Sequence, residues 1–336
     1  MYTIEENCSL CDKNSFGVEA SARRLIRFDE AADMPAVFSE IGETERWMVL
    51  GGGNNILFTG NFDGTLLQPT DQRMEVCSEN EQSVRVRVGA GVEWDDFVAW
   101  SVARGWGGVE NLSLIPGKVG AAPVQNIGAY GAEAKDTIDR VECYFPERNE
   151  TGFLSHAECR FGYRDSIFKR ELKGKAVILS VEFLLSRRPQ FKLRYGDIAD
   201  RVEALGGVSL EHIRRAVIEV RRSKLPDPKE LGNAGSFFKN PVVSQQKADA
   251  LRADYPDMPC YPAEAGQVKL AAGWLIDRCG LRGKRWGVVG VHERQALVLV
   301  NYGGATGHDV LDVAARVRAE VSARFGVDIE MEVNIV

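Results

Sequence analysis

Three residues of this sequence carry side chains in settings that invite chemistry. Ser236 lies in Gly235-Ser236-Phe237-Phe238-Lys239-Asn240-Pro241. A serine nucleophile needs a base and, in the hydrolase elbow, a GxSxG context; this context differs, and none of the four histidines (His156, His212, His292, His308) stands out as a triad partner. The hydrolase reading is set aside, which leaves a serine that caps or turns backbone, as an arbitrary serine does. Arg164 carries a fixed charge with a planar fork suited to carboxylates, and from the residues alone pairing with the neighbouring Asp165 is its favoured reading. Glu332 falls in an alternating terminal segment. There Ile329, Met331, Val333 and Ile335 share one face and Glu330, Glu332 and Asn334 the other, the pattern of a strand with one solvated side.

Metal chemistry has a weaker claim. Cys8 and Cys11 form a CxxC, but no second cysteine or histidine pair follows at ligand spacing, so two incidental thiols are the simpler reading. Seven scattered cysteines in a long chain fit reduced thiols rather than a disulfide scaffold.

Two glycine-rich segments suggest where a phosphate-bearing ligand would sit. Gly51-Gly52-Gly53-Asn54-Asn55 lets backbone N–H groups come close to an anion. It lacks the Gly-Lys-Ser/Thr of a P-loop, and Ile56 stands where GxGxxG needs its third glycine, so a tight turn and a ligand cradle fit it equally. The second runs from Leu114 through Pro116-Gly117-Lys118-Val119-Gly120-Ala121-Ala122-Pro123-Val124-Gln125-Asn126-Ile127-Gly128-Ala129-Tyr130 to Gly131. So long a run without a helical or strand stripe is costly to order unless something packs against its backbone, and a diphosphate dinucleotide would do so.

The elements that must position these groups follow from hydrophobic spacing. Strands are predicted over 47–50, 56–59, 84–88, 141–145, 176–185 and 296–300. Trp94, Phe97, Val98 and Val102 predict a helix stopped by Gly105. Ser209 is placed to cap a second, striped by Leu210, Ile213, Val217 and Val220 and ended by Pro226. A third carries Val268, Ala272, Leu275, Ile276 and Cys279 as far as Gly280; a fourth follows Asp309 with Val310, Val313, Val317, Val321 and Phe325 as far as Gly326. Helices and strands are mixed, so the class is α+β.

Composition excludes several partners. With 336 residues, two or three domains are expected, and 44% hydrophobic with 27% charged residues describes a chain that folds throughout. The net charge of -6 with no basic tract argues against nucleic acid. There is no secretory leader pattern at the N-terminus and no run of about 18 apolar residues, so neither export nor membrane insertion is expected and the protein is placed in the cytoplasm.

Taken together, Asn14-Ser15-Phe16-Gly17, Val49 to Asn55, Ile115-Pro116-Gly117, Gln125 to Gly131, Tyr163-Arg164-Asp165-Ser166 and Gly235 to Pro241 run in one order along nearly the whole chain. In that order they resemble the UDP-N-acetylenolpyruvoylglucosamine reductases, specifically their type I. One departure is Asn54, where the family commonly has Ser; an asparagine still hydrogen-bonds phosphate or turn backbone. The resemblance implies an FAD-binding domain of the vanillyl-alcohol-oxidase/PCMH type plus a C-terminal α+β substrate-binding domain. It divides the chain into residues 1–70, completed by 327–336, then 71–218, both for FAD, and 219–326 for substrate.

By the same resemblance the enzyme reduces the vinyl ether of an enolpyruvyl UDP-N-acetylglucosamine, with hydride passing from NADPH through FAD. Ser236 would donate the proton while Arg164 and Glu332 stabilise the enolate. FAD would be held by Gly51, Gly53, Asn54, Asn55, Pro116, Gly117, Gly120, Ala121, Gln125, Asn126, Gly128, Ala129 and Tyr130. Tyr195, Lys224, Asn240, Tyr261 and Gln295 would bind substrate, Tyr195 by closing over the diphosphate. No second dinucleotide fingerprint is present, so NADPH and the UDP sugar are expected to take turns in one pocket of a monomer. The competing readings are another flavin oxidase of this fold and a non-catalytic flavin or nucleotide-sugar binder. Ser236, Lys224 and Glu332 all speak for the reductase.

Overall fold

The computed structural model describes residues 1–42, 44–263 and 266–336, and the chain divides into two compact units. The first comprises residues 1–8, 22–52 and 63–223, the second residues 9–21, 53–62 and 224–336. No helix among the described residues is long and apolar enough to cross a membrane.

The first unit is built on two sheets. One has the strand order Tyr2–Ser9, Ser21–Phe28, Phe62–Pro69, Trp47–Val49, with the last two parallel. The helix Met34–Ile41 sets Met34, Val37 and Ile41 into a core with Ile26, Phe28 and Leu67. The other sheet is antiparallel, in the order Glu150–Ser155, Ile138–Phe145, Val177–Ser186, Ser83–Gly89, Met74–Glu79. Alternation places Val84, Val86 and Val88 on its buried face, as the sequence predicts. Val181, Phe183 and Leu185 join them from the central strand, and the helix Trp94–Val102 closes over this core, with Phe97 and Phe183 ring centroids 4.5 Å apart. On the opposite face Glu182 is fully buried yet paired with both Arg87 (2.8 Å) and Arg140 (2.7 Å), which removes the cost of an isolated buried charge.

The helix Leu210–Lys224 begins where the sequence predicts, with the Ser209 hydroxyl accepting from the His212 N–H at 3.1 Å. Ile213, Ala216 and Val217 pack against Ile198 and Val202 of the helix Ile198–Ala204.

In the second unit, two three-stranded sheets accompany the helices Gln245–Asp254, Ala272–Arg278 and Gly307–Phe325. The longest of these starts in a capping box between Thr306 and Asp309 and ends at Gly326 in the left-handed conformation, φ +57°. Two expectations change here. Val268 belongs not to a helix but to the strand Gln267–Leu270, where it pairs with Val243 on one side and Pro262 on the other; the helix starts at Ala272. The helical spacing of 268 and 272 is therefore overridden by two strand partners. The C-terminal alternation also breaks. Ile329 and Val333 are buried but Ile335 is 39% exposed, because the segment bridges Phe238 at Met331 and then changes partner, pairing Asn334–Ile335 in parallel with Ile56–Leu57.

Candidate active site

In the first unit the two glycine-rich segments lie side by side. A Cβ added to Gly51 would stand 3.7 Å from the Cβ atoms of Ala121 and Lys118. Among the described residues the N–H groups of Gly51 and Gly52 have no acceptor, while the Gly51 carbonyl accepts from Gln68 Nε2 at 3.3 Å. Open backbone donors beside a second small-residue loop form the donor set that a diphosphate needs.

The longer loop is tied down along its length. Gly117 gives its carbonyl to the Trp94 N–H (2.8 Å), and Val119 and Gly120 donate to the carbonyls of Val92 and Ala90. Gly120 has no room for a side chain, since an added Cβ would meet the Ala90 Cβ at 2.6 Å. Beyond it, Gly128–Ala129 pairs with Ala132–Glu133 in a two-stranded hairpin.

Three residues of this loop that are not glycine take left-handed backbone angles: Leu114 (φ +57°), Asn126 (φ +46°) and Tyr130 (φ +49°). Each costs of order 1 kcal/mol or more and persists only where its surroundings hold it. Asn126 is fully buried; its side chain donates to Gly162 O at 2.9 Å and to Glu133 at 3.0 Å and accepts from the Lys135 N–H at 3.0 Å. The Tyr130 carbonyl accepts from Asn111 Nδ2 at 2.9 Å, and the same amide reaches Lys192 O at 2.8 Å. The Tyr130 ring meets that of Tyr195 edge to face, with centroids 5.8 Å apart. Tyr195 is 47% exposed, so its outer edge is available to a ligand.

Arg164 also sits at positive φ, +54°, and its guanidinium donates to the carbonyls of Asn126 (3.4 Å) and Gly128 (2.5 Å). A side chain on Gly128 would collide with it, an added Cβ lying 2.8 Å from Nη1. Asp165, the alternative partner read from the sequence, pairs with Arg170 at 3.2 Å.

Sequence reasoning missed the groups that brace this loop. Asp95, in the first turn of the helix Trp94–Val102, accepts from the Leu114 N–H (2.5 Å) and takes both arms of Arg214 at 2.6 and 2.9 Å. Burial would raise the Asp95 pKa, but the Arg214 and Leu114 hydrogen bonds, with the charges of Arg214 and Arg221, hold it below the usual aspartate value. Arg221 donates to Leu114 O at 3.1 Å. Burial lowers its pKa from the ordinary arginine value, opposed by Tyr130 and Asp95. Burial likewise lifts the Tyr130 hydroxyl above its usual range. An acidic residue at a helix start gave no signal that it would reach a loop residue.

The second unit joins two of the residues singled out for chemistry. The chain at Ser236 bridges Val298 on one side, and on the other the Glu332 N–H donates to Phe237 O at 2.8 Å. Lys239 N–H donates to Glu330 O at 2.9 Å, so the serine segment and the C-terminal segment run against each other. Among the described residues Ser236 Oγ caps no backbone group. Gly235, at φ +69°, turns the chain into this position, helped by the Asn233 side chain, which accepts the Gly235 N–H at 2.9 Å.

The turn Gly53-Asn54-Asn55 abuts the same segment. Asn55 Nδ2 reaches Glu332 O at 3.4 Å, and Asn55 O accepts from the Asn334 N–H at 3.1 Å. Gly53 is packed so closely that an added Cβ would lie 2.0 Å from Lys13 O. Ser15 donates its N–H to Gly53 O at 3.0 Å, and its own hydroxyl is buried with no partner among the described residues.

The remaining sequence-nominated residues are spread over this unit. Asn240 Oδ1 accepts from the first helical amide of Ala272–Arg278 at 3.0 Å, and Gln295 Oε1 accepts from the Leu297 N–H at 3.4 Å. Tyr261 lies on the edge strand Cys260–Pro262 and lines an open cleft of about 470 Å³ with Gln245, Arg252 and Gln267. Lys224 ends its helix and is exposed.

Residues 22–147 match the model of a family described as FAD binding domain, and residues 227–336 match that of the UDP-N-acetylenolpyruvoylglucosamine reductase C-terminal domain. The UDP-N-acetylenolpyruvoylglucosamine reductase of Bacteroides fragilis is 47% identical over 333 residues, spanning 99% of this chain and 100% of that protein. Its counterpart in Chromobacterium violaceum is 48% identical over 324 residues, 95% of each. The crystal structure of the Thermus caldophilus UDP-N-acetylenolpyruvylglucosamine reductase superposes with a TM-score of 0.70 at 23% identity, covering 100% of this chain and 99% of that one, a likeness of fold. This chain therefore belongs to the UDP-N-acetylenolpyruvoylglucosamine reductase family, as a flavin-dependent oxidoreductase that joins an FAD-binding domain to the family's own C-terminal domain.

Proposed function

We propose that this enzyme reduces the enolpyruvyl group of UDP-N-acetylglucosamine enolpyruvate to give UDP-N-acetylmuramate, in the cytoplasmic synthesis of peptidoglycan precursors, as a monomer. FAD would supply the redox chemistry, taking hydride from NADPH and passing it to the terminal vinyl carbon. Hydride addition leaves negative charge on the adjoining carbon and its carboxylate. Arg164 is assigned to that carboxylate as a fixed cation with a matching fork, and Glu332 to stabilisation of the enolate as its second partner. The Ser236 hydroxyl gives the proton that completes reduction, since a carbanion is a strong enough base to take one from an alcohol.

The observation that carries this reading is the pairing of the Ser236 segment with the Glu332 segment, through the Glu332 N–H to Phe237 O bond of 2.8 Å. We further assign residues 1–70 with 327–336, and 71–218, to FAD, and 219–326 to substrate. Gly51, Gly53, Asn54, Asn55 and the loop residues from Pro116 to Tyr130 are assigned to FAD, and Tyr195, Lys224, Asn240, Tyr261 and Gln295 to the UDP sugar. NADPH and the sugar would use one pocket in turn, giving ping-pong kinetics.

Ser236→Ala provides the test. NADPH should still bleach the flavin at close to the normal rate, while its reoxidation by the enolpyruvyl substrate slows by about a thousandfold, the scale of a lost general acid. Equal loss in both half-reactions would contradict the assignment. Glu332→Gln, which keeps a polar side chain, should retain more activity than Glu332→Ala.

A further inference from the structure

Leu114 is an aliphatic residue held at φ +57° immediately before Ile115-Pro116-Gly117, and both ends of its backbone are gripped by side chains. Asp95 accepts its N–H and Arg221 donates to its carbonyl at 3.1 Å. These two side chains belong to different helices, Trp94–Val102 and Leu210–Lys224, which Arg214 also links through its bidentate pair with Asp95. Arg221 further faces the Tyr130 hydroxyl, at the other end of the same loop. Arg221 thus turns inward from its helix onto a strained peptide carbonyl. A guanidinium so placed has a geometric use, because its directional Nε donor fixes one carbonyl orientation.

We propose that Arg221, acting with Asp95, is a positioning residue that presets the Leu114–Gly131 loop for its dinucleotide by locking Leu114 in the left-handed conformation before any ligand arrives. The inference rests on the assignment of FAD to this loop. With the clamp in place, ligand binding need not carry the ordering of the loop; without it, Leu114 relaxes to negative φ and the loop amides lose their common direction.

Flavin retention by the full-length holoenzyme tests the clamp. Release of FAD, followed by its fluorescence on dilution, should be about tenfold faster in Arg221→Met than in the wild type, and hydrogen exchange at the Leu114 amide should accelerate. The distinguishing variant is Leu114→Gly, because glycine enters positive φ without penalty. Placed on Arg221→Met, it should recover at least a third of the lost retention, whereas alone it should change release by less than threefold. Wild-type release from Arg221→Met, or a double variant no better than the single one, would overturn the proposal. If Arg221→Met does not fold, Arg221→Lys carries the same comparison, since lysine keeps the charge but lacks the Nε donor. A wild-type protein that holds no FAD would instead refute the flavin assignment itself, independently of the clamp.

Discussion

The Leu114–Gly131 loop of the first unit and the Gly53–Asn55 turn of the second reach strained backbone by opposite means. In the turn, Gly53 takes φ +66° at no intrinsic cost, and what fixes it is the closeness of Lys13 O. In the loop, Leu114, Asn126 and Tyr130 take the same angles with side chains attached and are held by Asp95, Arg221, Asn111 and the asparagine's own amide. A glycine turn is specified locally by its composition. A loop of strained residues with side chains is specified by polar groups from other segments of the chain, so its geometry is sensitive to substitutions outside the loop itself.

That contrast can be broken most directly at Gly53. Gly53→Ala brings both a positive φ and a Cβ 2.0 Å from a carbonyl oxygen, and should destabilise the protein by about 3 kcal/mol or more, read from denaturant unfolding. Survival with normal stability would mean that the turn has an alternative conformation. Asn126→Ala should come next, with a loss of about 2–3 kcal/mol. It leaves the part-buried Lys135 N–H without its acceptor and takes one donor from Gly162 O, which keeps the Asp165 N–H, while removing the local tolerance of asparagine for positive φ.

Asp95 sharpens the comparison through pH. Its folded pKa is depressed below the ordinary 3.8, so its contribution is complete above that value and is lost as pH falls through the lower folded pKa. The wild type should accordingly lose stability more steeply below about pH 4 than Asp95→Asn, which has no carboxyl to protonate; parallel acid curves would argue against the clamp. The smallest effect is expected at Gly51, where an added Cβ finds its nearest neighbours at 3.7 Å. Gly51→Ala should change stability by less than about 0.5 kcal/mol, yet weaken FAD binding if a phosphate approaches that backbone. Unchanged flavin affinity would count against the assignment of Gly51.

Much of the framework was legible because it is periodic. The alternation of Val84, Val86 and Val88, the helical stripe from Trp94 to Val102 and the stripe from Val310 to Phe325 all describe one buried face, which hydrophobic burial enforces wherever the element lies. Signals failed where a segment changes partner. Val268 fits a helical stripe but finds strand neighbours on both sides, and Ile335 keeps the alternation while its segment moves from Phe238 to Ile56. The candidate site shows the same division. Gly51 to Asn55, the Pro116–Gly131 loop, Arg164, Ser236 and Glu332 could be nominated from motif and family likeness, but the bracing by Asp95, Asn111 and Arg221 could not, because each acts on a residue distant in sequence.

By itself the sequence determined the elements that carry one periodic buried face, since hydrophobic spacing acts locally, while family likeness nominated Arg164, Ser236 and Glu332 for flavin-dependent reduction. Only the tertiary structure decided that the Glu332 amide meets the carbonyl after Ser236 and that Leu114 is gripped at both ends. Those arrangements are pairings between segments far apart along the chain, selected by the packing of whole elements, and no local preference encodes them.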